Sequence, residues 1–243
     1  DYHAPNEHLR LELDPTEQSV AAITEREQVA DALSLRALLA PRSVAVIGAS
    51  NRTGAVGHEV LRNILDGGFT GQVYAVNPNH TYVQGVPCVA SAEQLPTAPD
   101  LAIVAVPAEQ VATVVRACGA RGVRGLLLLT AGFSEAGGSG REKQAEITEL
   151  ARANGMRLIG PNCLGVLNTD PAVRLNATFA GLPMQPGGLG LVSQSGALGI
   201  AVVAAAARCG LGISQFVSIG NKAEVSGNDL LLAWERDERT RVI

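Results

Sequence analysis

Apolar and polar residues alternate along the middle of this chain in a pattern that predicts strands and helices in turn. Short apolar runs rich in β-branched residues predict six strands, at residues 43–48, 72–77, 86–90, 101–106, 125–130 and 156–160. Apolar residues at helical spacing predict helices at 57–66, 108–120 and 139–153. Such alternation is typical of a doubly wound α/β domain with a parallel sheet.

In a sheet of this class, the strand order 3-2-1-4-5-6 places a ligand crevice outside the carboxyl ends of the first and fourth strands. The loops expected to meet there are residues 48–50, 106–108 and 130–133, with Asn77 and Pro78 at the side. The candidate ligand contacts therefore follow strands rather than lying within them.

The residues before this domain predict a leader at 1–40. Asp14 is a candidate helix cap, Pro15 suits the first turn, and Glu17 follows three residues after the cap. Periodic apolar residues from Val20 to Leu39 predict an amphipathic linker helix laid on the next domain.

Prolines and glycines punctuate residues 169–188 and predict a domain boundary, after which the alternation restarts. The pattern predicts a strand at 189–192, a helix at 197–208 and a strand at 215–219. A helix capped by Asn228 and Asp229 follows, and another strand begins at Thr240. We therefore predict a Rossmann-like domain at 41–168 and a second, incomplete domain at 169–243. The chain does not begin with methionine, and we expect it to be part of a longer protein.

The loop after the first strand carries Gly48, Gly54 and Gly57 directly before a helix. Free backbone N–H groups and the helix dipole at such a turn favour a phosphate, although the same glycines also serve packing alone. Ser50 occupies the place of the second glycine in the dinucleotide fingerprint, and Asn77 ends the second strand where an acidic residue would hold a ribose. This pattern favours a phosphorylated ligand other than NAD.

Two other turns carry polar or nucleophilic residues. The Ser193–Gly196 turn places hydroxyl and N–H groups at a helix start, which suits either a phosphoryl group or an ordinary serine cap. Cys163 lies in a turn without a nearby histidine, so we interpret it as a structural cysteine. No catalytic residue is assigned, and the four histidines lack ligand spacing, so we expect no metal.

Composition narrows the class of protein. Of 243 residues, 47% are hydrophobic and only 3% aromatic, and a net charge of -4 gives no reason to expect nucleic acid as a partner. Residues 1–40 hold eight acidic and three basic residues, so the leader is acidic. The four cysteines show no CxxC spacing, and neither a signal peptide nor an apolar run of membrane length is present. We therefore expect reduced thiols, no membrane partner and a cytoplasmic location.

Seven motifs occur in order along the chain. They are Val46-Ile47-Gly48-Ala49-Ser50, Val76-Asn77-Pro78, Val104-Ala105-Val106-Pro107-Ala108, Thr130-Ala131-Gly132-Phe133-Ser134-Glu135, Gly160-Pro161-Asn162-Cys163-Leu164-Gly165, Ser193-Gln194-Ser195-Gly196-Ala197-Leu198 and Gly220-Asn221-Lys222-Ala223-Glu224-Val225. Together they resemble the NDP-forming acyl-CoA synthetases (acetate–CoA ligase, ADP-forming), relatives of the succinyl-CoA synthetase alpha subunit. The resemblance begins near residue 41 and runs to the end of the chain.

The leader, from Leu11 to Pro41, resembles the connector of bacterial proteins in which a GNAT acetyltransferase domain precedes this synthetase module.

The resemblance implies a Rossmann-like parallel CoA-binding domain followed by a partial flavodoxin-like succinyl-CoA-ligase domain. By the same resemblance, coenzyme A or acetyl-CoA is bound by Gly48, Ala49, Ser50, Asn77, Pro78, Val106, Pro107, Ala108 and Asn162. Ser193, Gln194, Ser195 and Gly196 would form the phosphate-binding turn that receives a phosphorylated histidine. The missing ribose carboxylate fits this ligand, because it would repel a 3′-phosphorylated ribose. Asn79 stands where the family often has lysine, which puts one phosphate contact in doubt.

In the family, an acyl phosphate forms, coenzyme A attacks it, and phosphate passes through the histidine to ADP. The histidine segment and a supporting glutamate would follow Ile243, so we expect these residues alone to bind coenzyme A without completing a synthetase cycle. ATP and ADP are expected only with the full-length protein. The expected partners are a CoA thioester and either a second copy of the chain or an ATP-grasp domain.

Three alternatives stay open at this point. The module could be a regulatory acyl-CoA sensor of a GNAT-type protein lysine acetyltransferase. It could be an NAD(H)-binding Rossmann oxidoreductase or redox sensor, against which Ser50 and Asn77 argue. It could also be a non-catalytic interaction module whose glycine turns serve packing alone.

Overall fold

The parallel sheet expected from the alternating pattern is confirmed. The structure, a computed structural model, describes residues 16–243. The first sheet contains β1 (Ser43–Ile47), β2 (Gln72–Val76), β3 (Tyr82–Val83), β4 (Val86–Val89), β5 (Leu101–Val104), β6 (Gly125–Leu128) and β7 (Arg157–Ile159). Its order is β3-β4-β2-β1-β5-β6-β7, which is the predicted order with one additional edge strand, β3. The β3–β4 pair is antiparallel and the other neighbouring pairs are parallel.

Three helices cover the two faces of this sheet, as predicted: α3 (Val56–Asp66), α4 (Ala108–Arg121) and α5 (Gly140–Ala153). Alternate side chains of β1 serve different cores, because successive residues of a strand point to opposite faces. Val44 and Val46 pack with residues of α3 and the second sheet, whereas Ala45 and Ile47 pack with residues of α4 and α5. The β1 strand is therefore buried on both sides, which explains its continuous apolar run.

A second sheet contains β8 (Gly165–Asn168), β9 (Leu175–Thr178), β10 (Pro186–Ser193) and β11 (Ile213–Ser218), in the order β10-β11-β8-β9. The predicted strands correspond to the parallel pair β10 and β11. The antiparallel strands β8 and β9 were not predicted. The division of domains after residue 168 stays a prediction, and β8, directly before it, pairs within the second sheet.

Two more helices follow in the second domain, α6 (Gly196–Arg208) and α7 (Gly227–Glu235). The predicted cap of α7 at Asn228 is wrong, because Ser226 is the N-cap and Asp229 closes a capping box with it. In place of a regular strand at Thr240, an isolated parallel bridge joins Leu189 to Val242.

The leader contains α1 (Glu17–Ser34) and the short α2 (Arg36–Leu39). Thr16 is the N-cap of α1, and the start predicted at Asp14 and Pro15 lies outside the described residues. The expected amphipathic packing is wrong for Val20 and Ile23 in the first turns of α1 and for Leu33 in its last turn, since all three are exposed. Among the described residues 16–40, the fully buried side chains, such as Leu38, lie at the end of the leader. Within residues 16–243, no helix combines the length and apolar character needed to cross a bilayer.

Arg157 joins both domains and the leader at the start of β7. Its guanidinium lies 2.9 Å from Glu224 Oε1 and 2.8 Å from Asp229 Oδ1, and it donates to Ser34 Oγ over 2.6 Å. Burial raises the pKa of Asp229, but hydrogen bonds from Ser226 and the charge of Arg157 outweigh this effect and leave the pKa below its usual value. This largely buried ion cluster fixes how α7 and the leader lie against the first sheet.

Candidate functional site

A cavity of about 910 Å³ opens at the carboxyl ends of β1, β2, β5 and β6. This is the crevice expected where the first and fourth predicted strands diverge. Seven of the nine residues predicted to bind a cofactor line it: Gly48, Ser50, Asn77, Pro78, Val106, Pro107 and Asn162. Thr130 and Ala131 of the loop after β6 also lie in its wall. The fold therefore brings the predicted loops together around one space.

The other two predicted residues, Ala49 and Ala108, do not line the cavity. Ala49 is fully buried and packs in the core beneath the loop. The methyl group of Ala108 lies 3.2 Å from the position that a Cβ of Gly132 would occupy. Their assignment as ligand contacts gains no support from this geometry, whereas a packing role does.

Gly48 allows β1, β5 and α3 to approach one another closely. Its φ is 92°, a conformation that favours glycine, and an added Cβ would lie 2.5 Å from the carbonyl oxygen of Ala105. A Cβ at Gly57, in the first turn of α3, would lie 1.9 Å from the carbonyl oxygen of Gly48. Both glycines thus serve packing, and the same close packing places the start of α3 at the cavity.

Asn77 uses its side-chain amide to connect two of the loops. Its Nδ2 donates to the carbonyl oxygen of Ala49 over 2.8 Å, and its Oδ1 accepts from the backbone N–H of Asn79 over 2.9 Å. The side chain that replaces the expected ribose carboxylate therefore shapes the loops after β1 and β2.

The loop after β1 is held from outside by the β3–β4 hairpin, which sequence patterns did not reveal. Asn51 Nδ2 donates to the carbonyl oxygen of Tyr82 over 3.1 Å, and Gln84 N–H donates to Asn51 Oδ1 over 3.1 Å. Within the loop, the backbone N–H of Arg52 donates to Ser50 Oγ over 3.0 Å. These hydrogen bonds connect the turn after β1 to the hairpin.

The cavity has two features that favour an anion. The starts of two helices line it, through Val56 and Gly57 of α3 and Pro107 and Gln110 of α4. In the described chain, neither helix has a side chain that caps its first N–H groups. Both helix dipoles therefore present their positive ends to it. Among the described lining residues, Arg52 is the one cation and Glu93 is the one carboxylate. Arg52 was missed as a candidate, although a basic residue two positions after Ser50 was a usable signal.

The Ser193–Gly196 turn lies apart from the cavity lining. Ser195 Oγ caps α6 by accepting from the backbone N–H of Leu198 over 3.3 Å, and Ser193 Oγ donates to the carbonyl oxygen of Ser195 over 2.8 Å. Gln194 is exposed, and a Cβ at Gly196 would lie 3.2 Å from Leu164 Cβ. The ordinary N-cap is thus present, and the phosphate-binding role of these four residues stays a prediction.

Cys163 is a structural residue in this geometry. Its thiol is buried and donates to the carbonyl oxygen of Leu128 over 3.3 Å. Burial raises the pKa of Cys163 to about 12, so the thiol stays protonated near neutral pH. This agrees with the packing role expected from the sequence.

The parallel strand order and the anion-favouring cavity at the switch point define a Rossmann-like nucleotide-binding protein. The chain belongs to the CoA binding domain family, whose model matches residues 42–169. Residues 186–243 match the succinyl-CoA ligase like flavodoxin domain. The resemblance to this class is confirmed, and the GNAT connector stays a prediction for the leader.

Relatives and solved structures agree with this assignment. The chain is 42% identical over 206 residues to acetate–CoA ligase [ADP-forming] I of Archaeoglobus fulgidus, covering 85% of this chain and 30% of the relative. It is 40% identical to the alpha subunit of acetate–CoA ligase [ADP-forming] I of Pyrococcus furiosus, covering 87% and 46%. A dinucleotide forming acetyl-coenzyme A synthetase 1 of Ca. Korarchaeum cryptofilum, solved with phosphate and ADP, superposes with a TM-score of 0.81 at 39% identity, covering 86% and 44%. The chain thus spans less than half the length of these proteins, and none of the similarities found favours an acetyltransferase or an oxidoreductase.

Proposed function

We propose that this chain is the CoA-binding, alpha-subunit-like part of an ADP-forming acyl-CoA synthetase, with coenzyme A or acetyl-CoA as the ligand of the cavity. The observation that carries the proposal is the cavity itself, in which Arg52 and two uncapped helix starts meet while Asn77 replaces the ribose carboxylate. Because the one carboxylate among the described lining residues, Glu93, follows β4 and is not in the loop that carries Arg52, we place the phosphate groups of the ligand at Arg52 and the helix starts.

The proposed pose follows the polarity of the walls. Phosphate groups of coenzyme A lie at the loop after β1, within reach of Arg52 and the start of α3. Apolar residues that line the cavity, including Ala92, Val114 and Ala117, offer a slot to the uncharged parts of the ligand. The thiol end lies near Asn162, two residues from Leu164, which contacts the Ser193–Gly196 turn.

In the full-length protein, we propose that this turn receives a phosphoryl group while ATP or ADP is bound elsewhere. The phosphoryl group would be bound by hydroxyls and first-turn N–H groups of the turn, which consists of Ser193, Gln194, Ser195 and Gly196. A second copy or an ATP-grasp domain is the protein partner that this cycle needs, and we propose a cytoplasmic location. Purified full-length protein is therefore expected to release ADP only when an organic acid, coenzyme A and ATP are all present.

Calorimetry with coenzyme A, 3′-dephospho-CoA and NAD tests the ligand assignment. Coenzyme A at 100 times its Kd is expected to stabilise the chain by about 2.7 kcal/mol, and NAD is expected to give no such stabilisation.

Arg52→Gln removes a charge-assisted contact. It is expected to weaken coenzyme A binding about tenfold and to reduce the salt dependence of binding. Arg26→Gln, on exposed α1, makes the same charge change away from the cavity and serves as the control. Equal affinity for NAD and coenzyme A would overturn the proposal.

A further inference from the structure

Three loops from the two sheets meet beside the cavity, and one side chain connects them. The loop after β11 crosses the loop after β7, because the backbone N–H of Asn221 donates to the carbonyl oxygen of Pro161 over 2.9 Å. The backbone N–H of Asn162 donates to the carbonyl oxygen of Thr130, in the loop after β6, over 2.9 Å. Thr130 and Asn162 line the cavity, whereas Asn221 does not.

The side-chain amide of Asn221 makes three hydrogen bonds at this junction. Its Nδ2 donates to Glu135 Oε2 and, over 3.0 Å, to Gln144 Oε1. Its Oδ1 accepts from Asn162 Nδ2 over 3.3 Å. Two donors and one acceptor are thereby shared among the loop after β6, helix α5 and the wall of the cavity. A substitution of Asn221 leaves at least one of these groups without its partner.

Glu135 anchors the other side of the junction. Its Oε1 accepts from the backbone N–H groups of Gly132, over 2.6 Å, and Phe133, over 3.2 Å. Burial raises the pKa of Glu135, but the hydrogen bonds from Asn221 and these N–H groups outweigh burial and leave the pKa below its usual value. The carboxylate is therefore ionised near neutral pH, and these contacts hold the loop that carries Thr130 and Ala131.

The backbone of Asn162 adopts an uncommon conformation. Its φ is 55°, in the left-handed region that few side chains other than asparagine adopt. Asn162 is exposed at the cavity, and its backbone packs closely against Gly220 of the loop after β11. Its partners are the loop after β11 and the loop after β6, which come from different sheets.

We propose that Asn221 is a positioning residue of the coenzyme A site: together with Glu135, it holds Thr130 and Asn162 in the wall of the cavity. The inference rests on the proposed ligand of that cavity. It also links the loop after β11 to coenzyme A affinity, although no residue of that loop lines the cavity. The charged residues of the surrounding elements are Lys222 and Glu224 in the same loop and Arg141, Glu142, Lys143, Glu146, Glu149 and Arg152 on α5, and within the described residues none of them forms an ion pair with Glu135.

Asn221→Asp tests the proposal, because it replaces both donors with a carboxylate that faces Glu135. At about pH 8, coenzyme A is expected to bind about tenfold more weakly than to the wild type. Two adjacent carboxylates raise the pKa of one of them, so the pair takes up a proton as the pH falls. The shared proton restores a hydrogen bond, and the affinity gap to the wild type is expected to narrow toward about pH 5.5.

Glu135→Gln in the same chain is expected to rescue the variant. The introduced amide keeps an oxygen for the N–H groups of Gly132 and Phe133, and its nitrogen donates to the carboxylate at position 221. The double variant Asn221→Asp/Glu135→Gln should therefore approach wild-type affinity and lose the additional pH dependence. Asn228→Asp, at an exposed position of α7, makes the same charge change in the same domain and serves as the matched control.

Coenzyme A affinity by calorimetry and thermal unfolding are measured for the wild type, Asn221→Asp, the double variant and the Asn228→Asp control. Wild-type affinity of Asn221→Asp at about pH 8 would overturn the positioning role. If Asn221→Asp does not fold, the double variant must fold and bind coenzyme A, and its failure to do so would also overturn it. If the folded wild type does not bind coenzyme A, the proposed function fails instead, so the two failures are distinguishable.

Discussion

Asn77 donates from Nδ2 to the carbonyl oxygen of Ala49 over 2.8 Å, and this bond joins the loops that follow β1 and β2. In dinucleotide-binding relatives of this fold, an acidic side chain at the end of the second strand binds the ribose. Here the side chain at that place binds protein backbone. An asparagine at this position therefore cannot supply the acidic ribose contact, and it connects two loops that line the cavity.

Asn77→Ala is expected to weaken coenzyme A binding several-fold while the chain stays folded. The substitution removes two hydrogen bonds with backbone groups, each with a net value of about 1 kcal/mol, from loops that line the cavity. Isothermal titration calorimetry measures the loss, and Asn228→Ala on the exposed side of α7 is the control. Unchanged affinity in Asn77→Ala would show that these loops keep their geometry without this side chain.

Gly48→Ala is expected to destabilise the fold far more than Gly54→Ala. Both residues have positive φ, 92° and 81°, so each substitution costs about 1 kcal/mol of backbone strain. At Gly48 the added Cβ also collides with the carbonyl group of Ala105, at 2.5 Å, whereas at Gly54 no atom lies within 4 Å. The collision adds about 1–3 kcal/mol. Urea unfolding curves compare the two variants, and equal losses would contradict the close approach at Gly48.

Arg157→Ala is expected to lower the free energy of unfolding by about 2–4 kcal/mol near neutral pH, because it leaves two carboxylates of a largely buried cluster unpaired. The pKa of Asp229 lies below its usual value in the folded chain. Its stabilising contribution is therefore present above the pKa of an unfolded aspartate and is lost as the pH falls through the lowered folded value. The difference between wild type and variant should shrink in acid.

The exposed pair of Arg116 and Glu146 provides the control for that measurement. Their side chains are 54% and 46% exposed, so Arg116→Ala is expected to change stability by less than about 1 kcal/mol at any pH. Denaturant titrations at neutral and acidic pH give both comparisons. A penalty for Arg157→Ala that persists undiminished in acid would argue against the ion pair as its cause.

Thiol modification is expected to distinguish one cysteine from the others. Cys209 is exposed, and Cys118 and Cys163 are buried with pKa values raised to about 12 by burial. Burial also raises the pKa of the half-buried Cys88. A thiol reagent at about pH 8 should therefore react rapidly with Cys209 alone, and Cys209→Ser should abolish this fast phase. Rapid labelling of Cys163 in the folded chain would contradict its packing role.

The sequence was sufficient for the architecture of the first domain. Apolar runs such as the one in β1 predict buried strands, and right-handed crossovers through helices leave few strand orders, so the sheet and its switch point were predictable. Gly48 was also predictable as a point of close approach, because a glycine at the end of a strand before a helix marks this geometry locally. These features depend on residues close together in the chain or on general rules of chain connection.

Tertiary structure alone decided the features that join distant residues. The strands β8 and β9 have four residues each, and such short strands carry little periodic pattern of their own. The β8 strand joins the second sheet through β11, which lies far along the chain. The same holds for Asn221 and Glu135, 86 residues apart, whose side chains meet only because loops from two sheets cross. Local periodicity reports burial of a strand or helix face, whereas a hydrogen bond between loops depends on where the whole fold places both ends. The sequence by itself therefore determined the Rossmann-like frame and the candidate loops, and the tertiary structure decided which side chains support the cavity wall.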